Sequence, residues 1–138
     1  MKVYIVVSTF YHDLSDQLIK GASDAIHGNE INVIKVPGAF EIPGTVKQIL
    51  ENKNPDLIIT LGVIIKGETN HFEQISDYVF QSISNFNISY NIPISFGVIS
   101  ALSYKQAEER ALISKRNKGA EVAATGLKMQ KLYEKFKK

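Results

Sequence analysis

A chain of 138 residues, 44% hydrophobic and 22% charged, is long enough for one domain (1–138) with a sizeable core and carries no compositional bias. The net charge of +2 gives no electrostatic footprint for nucleic acid, and its surplus lies in the C-terminal "KLYEKFKK", a solvated helix end. The absence of cysteine excludes disulfides, thiol catalysis and thiolate-bound metal together.

The N-terminal "MKVYIVVSTFYHD" holds an apolar stretch too short for a signal-peptide core. The longest apolar run, "LIITLGVII", is about half of what a bilayer-spanning helix needs. Both point to a soluble, cytoplasmic protein with no membrane partner.

In chain order, two patterns alternate. "KVYIVVS" is a β-branched run and reads as a strand. Leu14, Leu18, Ala22, Ala25 and Ile26 then form one helical stripe, closed by Gly28. "INVIKV" is the second strand, followed by "VPGAFEIPG", where two prolines and two glycines bracket Phe40 and Glu41 at a helix start. The stripe of that helix is Ile42, Val46, Ile49 and Leu50. "DLIITLGVI" is nearly continuous in apolar residues, as a strand covered on both faces tends to be. After "KGETNH" comes a third helix, with Ile75, Tyr78, Val79, Ile83 and Phe86 on one side. "PISFGVIS" is the fourth strand, and Ser103 with Gln106 has the spacing of a capping box opening the next helix.

The last helix has two apolar sides. At 100° per residue Ala120, Ala123, Ala124 and Leu127 fall on one, and Val122, Gly126, Met129, Tyr133 and Phe136 on nearly the opposite one. Two stripes imply cover on both sides, and a neighbouring subunit is the expected source of the second. The alternation of strand and helix predicts an α/β sandwich on a parallel sheet, whose ligands gather outside the carboxyl ends of the strands. Ser8 to Tyr11, Pro37 to Phe40, Ile65 to Thr69 and the turn after Ser100 belong to that edge.

Within it, Asn70 and Glu73 are spaced as a second capping box, which starts the third helix at His71. Gly67 allows close backbone approach, so free N–H groups and the positive helix end would converge on residues 67–71 as an anion site. The dipole favours a neutral, proton-accepting His71, whereas a bound phosphate acts in the opposite sense. His71 reads either as a proton-transfer group or as a helix-start residue facing water. Arg110 has no acid three or four positions away, so it is either a solvated arginine or one reserved for a phosphate held bidentately. Glu41 either complements a helix dipole or accepts hydrogen bonds from hydroxyls. Phe10 and Phe96 either pack or offer faces to a flat heterocycle. His12 and His27 carry no comparable pattern. The three histidines lack ligand spacing, so no metal is expected, and neither a Walker motif nor G-x-G-x-x-G is present.

"VPGAFEIP", "ITLGVIIKGETNHFEQIS", "PISFGVIS", "QAEERA" and "NKGAEVA" together resemble, in order and spacing, the lumazine synthase family (6,7-dimethyl-8-ribityllumazine synthase), over nearly the whole chain. The resemblance implies a flavodoxin-like three-layer α/β/α sandwich on a four-stranded parallel sheet. It implies condensation of 5-amino-6-(ribitylamino)uracil with 3,4-dihydroxy-2-butanone 4-phosphate, releasing phosphate and water, without metal or organic cofactor. It also implies pentamers with active sites shared between neighbours.

Position by position, the resemblance puts Phe10 on the pyrimidine ring, and Ala39, Phe40 and Glu41 along the ribityl side. Val63, Ile64 and Ile65 would offer backbone groups to the ring edge. Glu68, Thr69 and Arg110 would hold the phosphate, and His71 would transfer protons. Phe96 and Lys118 would enter from the neighbouring subunit. Val63 departs from the polar residue common there, which removes any side-chain role. Ser114 replaces a frequently basic residue. The chain starts at its first core strand without the N-terminal extension of many members, which weighs against a large capsid-like shell. Two related readings compete: an archaeal-type riboflavin synthase, which consumes the lumazine, and a non-catalytic flavin- or lumazine-binding shell protein. A receiver domain fails for want of an acid after the third strand, and a flavodoxin for want of a glycine-rich phosphate loop in "STFYHD".

Overall fold

A computed structural model of the chain describes residues 1–137. The β-branched runs become β1 (Lys2–Ser8), β2 (Glu30–Val36), β3 (Leu57–Ile65) and β4 (Ile94–Ala101). They form one sheet in the order β2-β1-β3-β4, parallel at every pairing. The interior position of β3 explains its unbroken apolar sequence, because every one of its residues is buried. Its start lies one residue later than the apolar run suggests. Asp56 stays in the preceding turn, where its carboxylate accepts the Lys2 N–H at 2.7 Å.

The helices are α1 (His12–Ala25), α2 (Ile42–Asn52), α3 (Phe72–Ser89), α4 (Tyr104–Ala111) and α5 (Lys118–Glu134). Successive strand residues point to opposite sheet faces, which divides the core in two. Val3, Ile5, Val7, Leu57, Ile59 and Leu61 pack against α1, α4 and α5 through Leu14, Leu18, Ala107 and Val122. Tyr4, Val6, Ile58 and Ile64 pack against α2 and α3 through Ile42, Val46, Val79 and Ile83. The result is the expected three-layer α/β/α sandwich with the flavodoxin-like strand order, which reverses between β1 and β3.

Two local expectations change. The capping box at Asn70 and Glu73 does not form: His71 itself is the N-cap, in the left-handed region at φ 59 and ψ 41, and no side chain caps α3. The helix therefore begins one residue later, which removes Glu73 from the reciprocal position and leaves its carboxylate 3.5 Å from Lys66 Nζ. The box at α4 does form, with Ser103 Oγ accepting from Gln106 N at 3.1 Å. Its return arm lands one residue early, since Gln106 Oε1 accepts from Leu102 N at 2.7 Å.

The two-sidedness of α5 has a partly internal cause. Gly119 lies against the Leu18 backbone of α1, and Gly126 against Leu57 of β3, so the helix is wedged between α1 and the sheet. Val122, Ala123 and Gly126 of its N-terminal half are thus buried within one chain, whereas Ala124 is exposed. Further along, Met129 and Tyr133 line an open groove of about 360 Å3, and Phe136 is exposed. Lys138, the end of the basic tail, lies outside the described residues. Among the described residues no helix is long and apolar enough to cross a membrane.

Candidate functional site

The carboxyl ends of β1 and β3 diverge at the point where the strand order reverses, and a hollow of about 310 Å3 opens there. Phe10 and Tyr11 reach it from the end of β1, and Gly38 to Glu41 from the turn after β2. Val63 and Ile64 form its floor at the end of β3, and Glu68, Thr69 and Asn70 close it from the loop that follows. The sequence reading thus gathers Phe10, Ala39, Phe40, Glu41, Val63, Ile64, Glu68 and Thr69 around one cavity. Ile75 of α3 completes the lining.

Phe10 and Phe40 are 68% and 55% exposed, so two aromatic faces stand at the rim in water. Phe40 is not free-standing: its ring stacks on Tyr78 of α3 at 4.8 Å. Residues 39–41 form one turn of 3-10 helix that runs directly into α2, with Pro43 in the first turn. Glu41 is the N-cap residue of α2 and is exposed, its side chain capping no backbone N–H.

The loop after β3, expected from the sequence to hold an anion, offers a different set of donors. Gly67 takes the turn at φ +86, which only glycine adopts without strain. The N–H groups of Glu68 and Thr69 both donate to the Ile65 carbonyl, at 3.3 and 3.1 Å. They are spent on the loop itself, so an anion must look to the Thr69 hydroxyl and the remaining backbone donors. The Glu68 carboxylate would repel a phosphate. Ile65 does not reach the hollow: its side chain is fully buried in the core under α1 and α4, and its carbonyl is the anchor of this turn. His71 is exposed immediately beyond Asn70 and is not part of the lining. A histidine held at positive φ is uncommon, and such outliers gather at functional sites.

Phe96, Arg110 and Lys118 are elsewhere. They border a second hollow of about 240 Å3 on the open edge of β4, with Ser100 and Arg116. Phe96 meets Phe80 of α3 edge-on at 5.3 Å. Arg110 donates through Nη1 to the Ser100 carbonyl at 3.2 Å. Lys118 is 3.0 Å from Glu121 Oε1, and Arg116 is 3.3 Å from Glu121 Oε2. The Lys118 hydrogen bond, aided by its charge and by Arg116, holds the Glu121 carboxyl below its ordinary range.

Sequence reasoning named Tyr11 only as part of the strand edge and left out Asn70 and Ile75. Tyr11 is half-buried, with Phe10 edge-on at 5.0 Å and Tyr104 of α4 at 6.1 Å. Burial raises its phenol pKa, the Glu68 carboxylate adds to that, and the nearby Thr69 hydroxyl opposes it. Two tyrosines flanking one loop were a signal that the spacing of apolar residues could not carry. Among the described residues no group of histidine and acidic side chains could hold a metal ion.

Residues 1–134 match the model of the 6,7-dimethyl-8-ribityllumazine synthase family. The chain belongs to that family. Its reaction is therefore the synthesis of 6,7-dimethyl-8-ribityllumazine from 5-amino-6-(ribitylamino)uracil and 3,4-dihydroxy-2-butanone 4-phosphate, the penultimate step of riboflavin biosynthesis. One substrate is a flat ring with a polyhydroxyl tail and the other a small phosphate ester, and the residues around the hollows offer aromatic faces, a carboxylate, a hydroxyl loop and cations. The match favours neither a riboflavin synthase nor a binding shell.

Proposed function

We propose that lumazine formation in this protein takes place in a site that two neighbouring copies of the chain complete. The observation that supports it is the separation of the two hollows: Phe10, Glu41 and Thr69 surround one, and Phe96, Arg110 and Lys118 the other. A head-to-tail interface that sets the β4 edge of one copy against the β1/β3 edge of the next joins them. Repetition of such an interface closes a ring, and the family resemblance makes that ring a pentamer. The site of action is the cytoplasm, where riboflavin precursors are made.

In the joined site the uracil ring stacks on Phe10, and the ribityl hydroxyls donate to Glu41. The backbone of Val63 and Ile64 meets the ring edge. The phosphate lies between Thr69 and the partner's arginine at position 110, whose planar fork can hold two phosphate oxygens at once. The amine of the uracil attacks the butanone carbonyl and loses water to give an imine. Phosphate then leaves, and the second amine closes the ring with loss of water. His71 moves protons among these steps. Much of the acceleration comes from holding two substrates in register, because a bimolecular condensation gains strongly from orientation.

A turnover assay tests the reading. Purified protein is mixed with the uracil and the butanone phosphate, and the lumazine chromophore is followed against a protein-free blank. Catalysed formation is expected, and no consumption of added lumazine. A well-folded protein that fails to exceed the blank, or that converts lumazine onward, overturns the reading.

A further inference from the structure

Tyr11 closes β1 onto α1, and its position is unusually determined. Its carbonyl accepts from both the backbone N–H and the hydroxyl of Ser15, at 2.9 and 3.1 Å. Its ring is clamped edge-on between Phe10 and Tyr104. The ring borders the substrate hollow with the Thr69 and Glu68 side chains near enough to act on its hydroxyl, yet the phenol oxygen is fully buried and neither of them, nor any other group among the described residues, lies in hydrogen-bond geometry with it. A buried hydroxyl without a partner destabilises a fold, and phenylalanine would fill the same space without that cost. The hydroxyl is therefore matched to an arrangement other than the ligand-free one.

We propose that Tyr11 is a positioning residue for the phosphate loop: its hydroxyl donates to Thr69 Oγ1 once a phosphate draws the loop inward, and so aims the Thr69 proton at a phosphate oxygen. The unprotonated oxygens of a phosphate only accept, so Thr69 must donate to them, which leaves its lone pairs for a second donor. The backbone N–H groups of Glu68 and Thr69 both go to the Ile65 carbonyl and the chain turns on Gly67, whereas the Thr69 hydroxyl makes no hydrogen bond among the described residues that would fix its direction. Burial keeps the phenol protonated and hence a donor. Being buried, its oxygen cannot meet the substrate directly, which is why its action passes through Thr69. This inference rests on the phosphate subsite proposed above, but its test does not depend on turnover.

The probe is inorganic phosphate, measured both as a binding partner by calorimetry and as a competitive inhibitor, on the full-length assembled protein. Tyr11→Phe weakens phosphate, and raises KM for the butanone phosphate, by about five- to tenfold, the effect of one hydrogen bond. KM for the uracil stays within about twofold. In a Thr69→Val background the same substitution changes phosphate affinity by less than about twofold, because the two hydroxyls act as one unit. The ligand-free Tyr11→Phe protein melts no lower than the unsubstituted one. An unchanged phosphate affinity in Tyr11→Phe overturns the proposal, as does an equal loss with and without Thr69, or no phosphate binding by the unsubstituted protein. Phosphate binding without turnover sinks the functional reading and leaves the Tyr11 result standing.

Discussion

Arg110 is held at the carboxyl end of β4 by the Ser100 carbonyl, 3.2 Å from its Nη1, and takes part in none of the ion pairs among the described residues. A guanidinium has five N–H donors, so most of its capacity is open to a ligand. Arg110→Ala should raise KM for the butanone phosphate by roughly 10–100-fold while KM for the uracil stays within about twofold, as expected from losing a charge-assisted bidentate contact. Steady-state kinetics with each substrate varied in turn separates the two, and equal weakening of both would remove the phosphate role.

His71 combines an exposed imidazole with a left-handed backbone. General acid–base catalysis contributes typically ~10²–10⁴, and His71→Ala should slow turnover by about 10–100-fold, at or below the low end of that range, because orientation supplies much of the rest. His71→Gly should be equally slow yet more stable than His71→Ala by about 1 kcal/mol, since glycine adopts this backbone without strain. Denaturant titration of both variants reads the difference. An alanine variant as stable as the glycine variant would mean that the helix entry relaxes, and a complete loss of activity would make His71 more than a proton shuttle.

Gly119 brings α5 against α1 at backbone distance: a Cβ there would stand 3.0 Å from the Leu18 carbonyl carbon and closer still to its oxygen. Alanine is favoured over glycine in a helix by about 1 kcal/mol, but a clash with backbone cannot be relieved by a rotamer. Gly119→Ala should therefore destabilise by about 2 kcal/mol or more, seen as a lower denaturation midpoint. A variant at least as stable as the parent would show that the two helices can separate freely.

Glu121 ties Lys118 and Arg116 together at the rim of the second hollow. Its carboxyl is held lower in the folded chain than in the unfolded one, first by the Lys118 hydrogen bond. The stabilisation is thus present above the ordinary carboxylate range and fades as pH falls through and below it. The pair is solvent-exposed, so it amounts to less than about 1 kcal/mol. The difference in melting temperature between the parent and Glu121→Gln should be small near neutrality and vanish in acid. A difference that grows as pH falls would have the wrong sign for this ion pair.

The strands and the two core faces were legible because period-2 burial and β-branched runs are set by residues close in sequence. The first set of pocket residues followed from the rule that ligands lie at the strand carboxyl ends, and Phe10, Phe40 and Thr69 are found there. The start of α3 was not legible. Asn70 and Glu73 have capping-box spacing, but the turn at Gly67 delivers the chain to the helix through a left-handed His71, and Glu73 goes to Lys66. Nor was the internal cause of the two-sided α5, because the close approaches of Gly119 to Leu18 and Gly126 to Leu57 join residues far apart in the chain. The Tyr11 hydroxyl was equally hidden, as burial without a partner is a property of packing and has no sequence pattern.

The shared site is tested most directly by mixing subunits. His71→Ala and Arg110→Ala proteins, each impaired, are unfolded, combined in equal amounts and reassembled, and kcat/KM for the butanone phosphate is measured. If His71 and Arg110 of one site come from adjacent copies, random assembly makes about a quarter of the sites wild type at both positions, and activity rises to about that fraction of the parent. If each site draws both residues from a single chain, no wild-type site can form, and the mixture shows only the mean of the two variants.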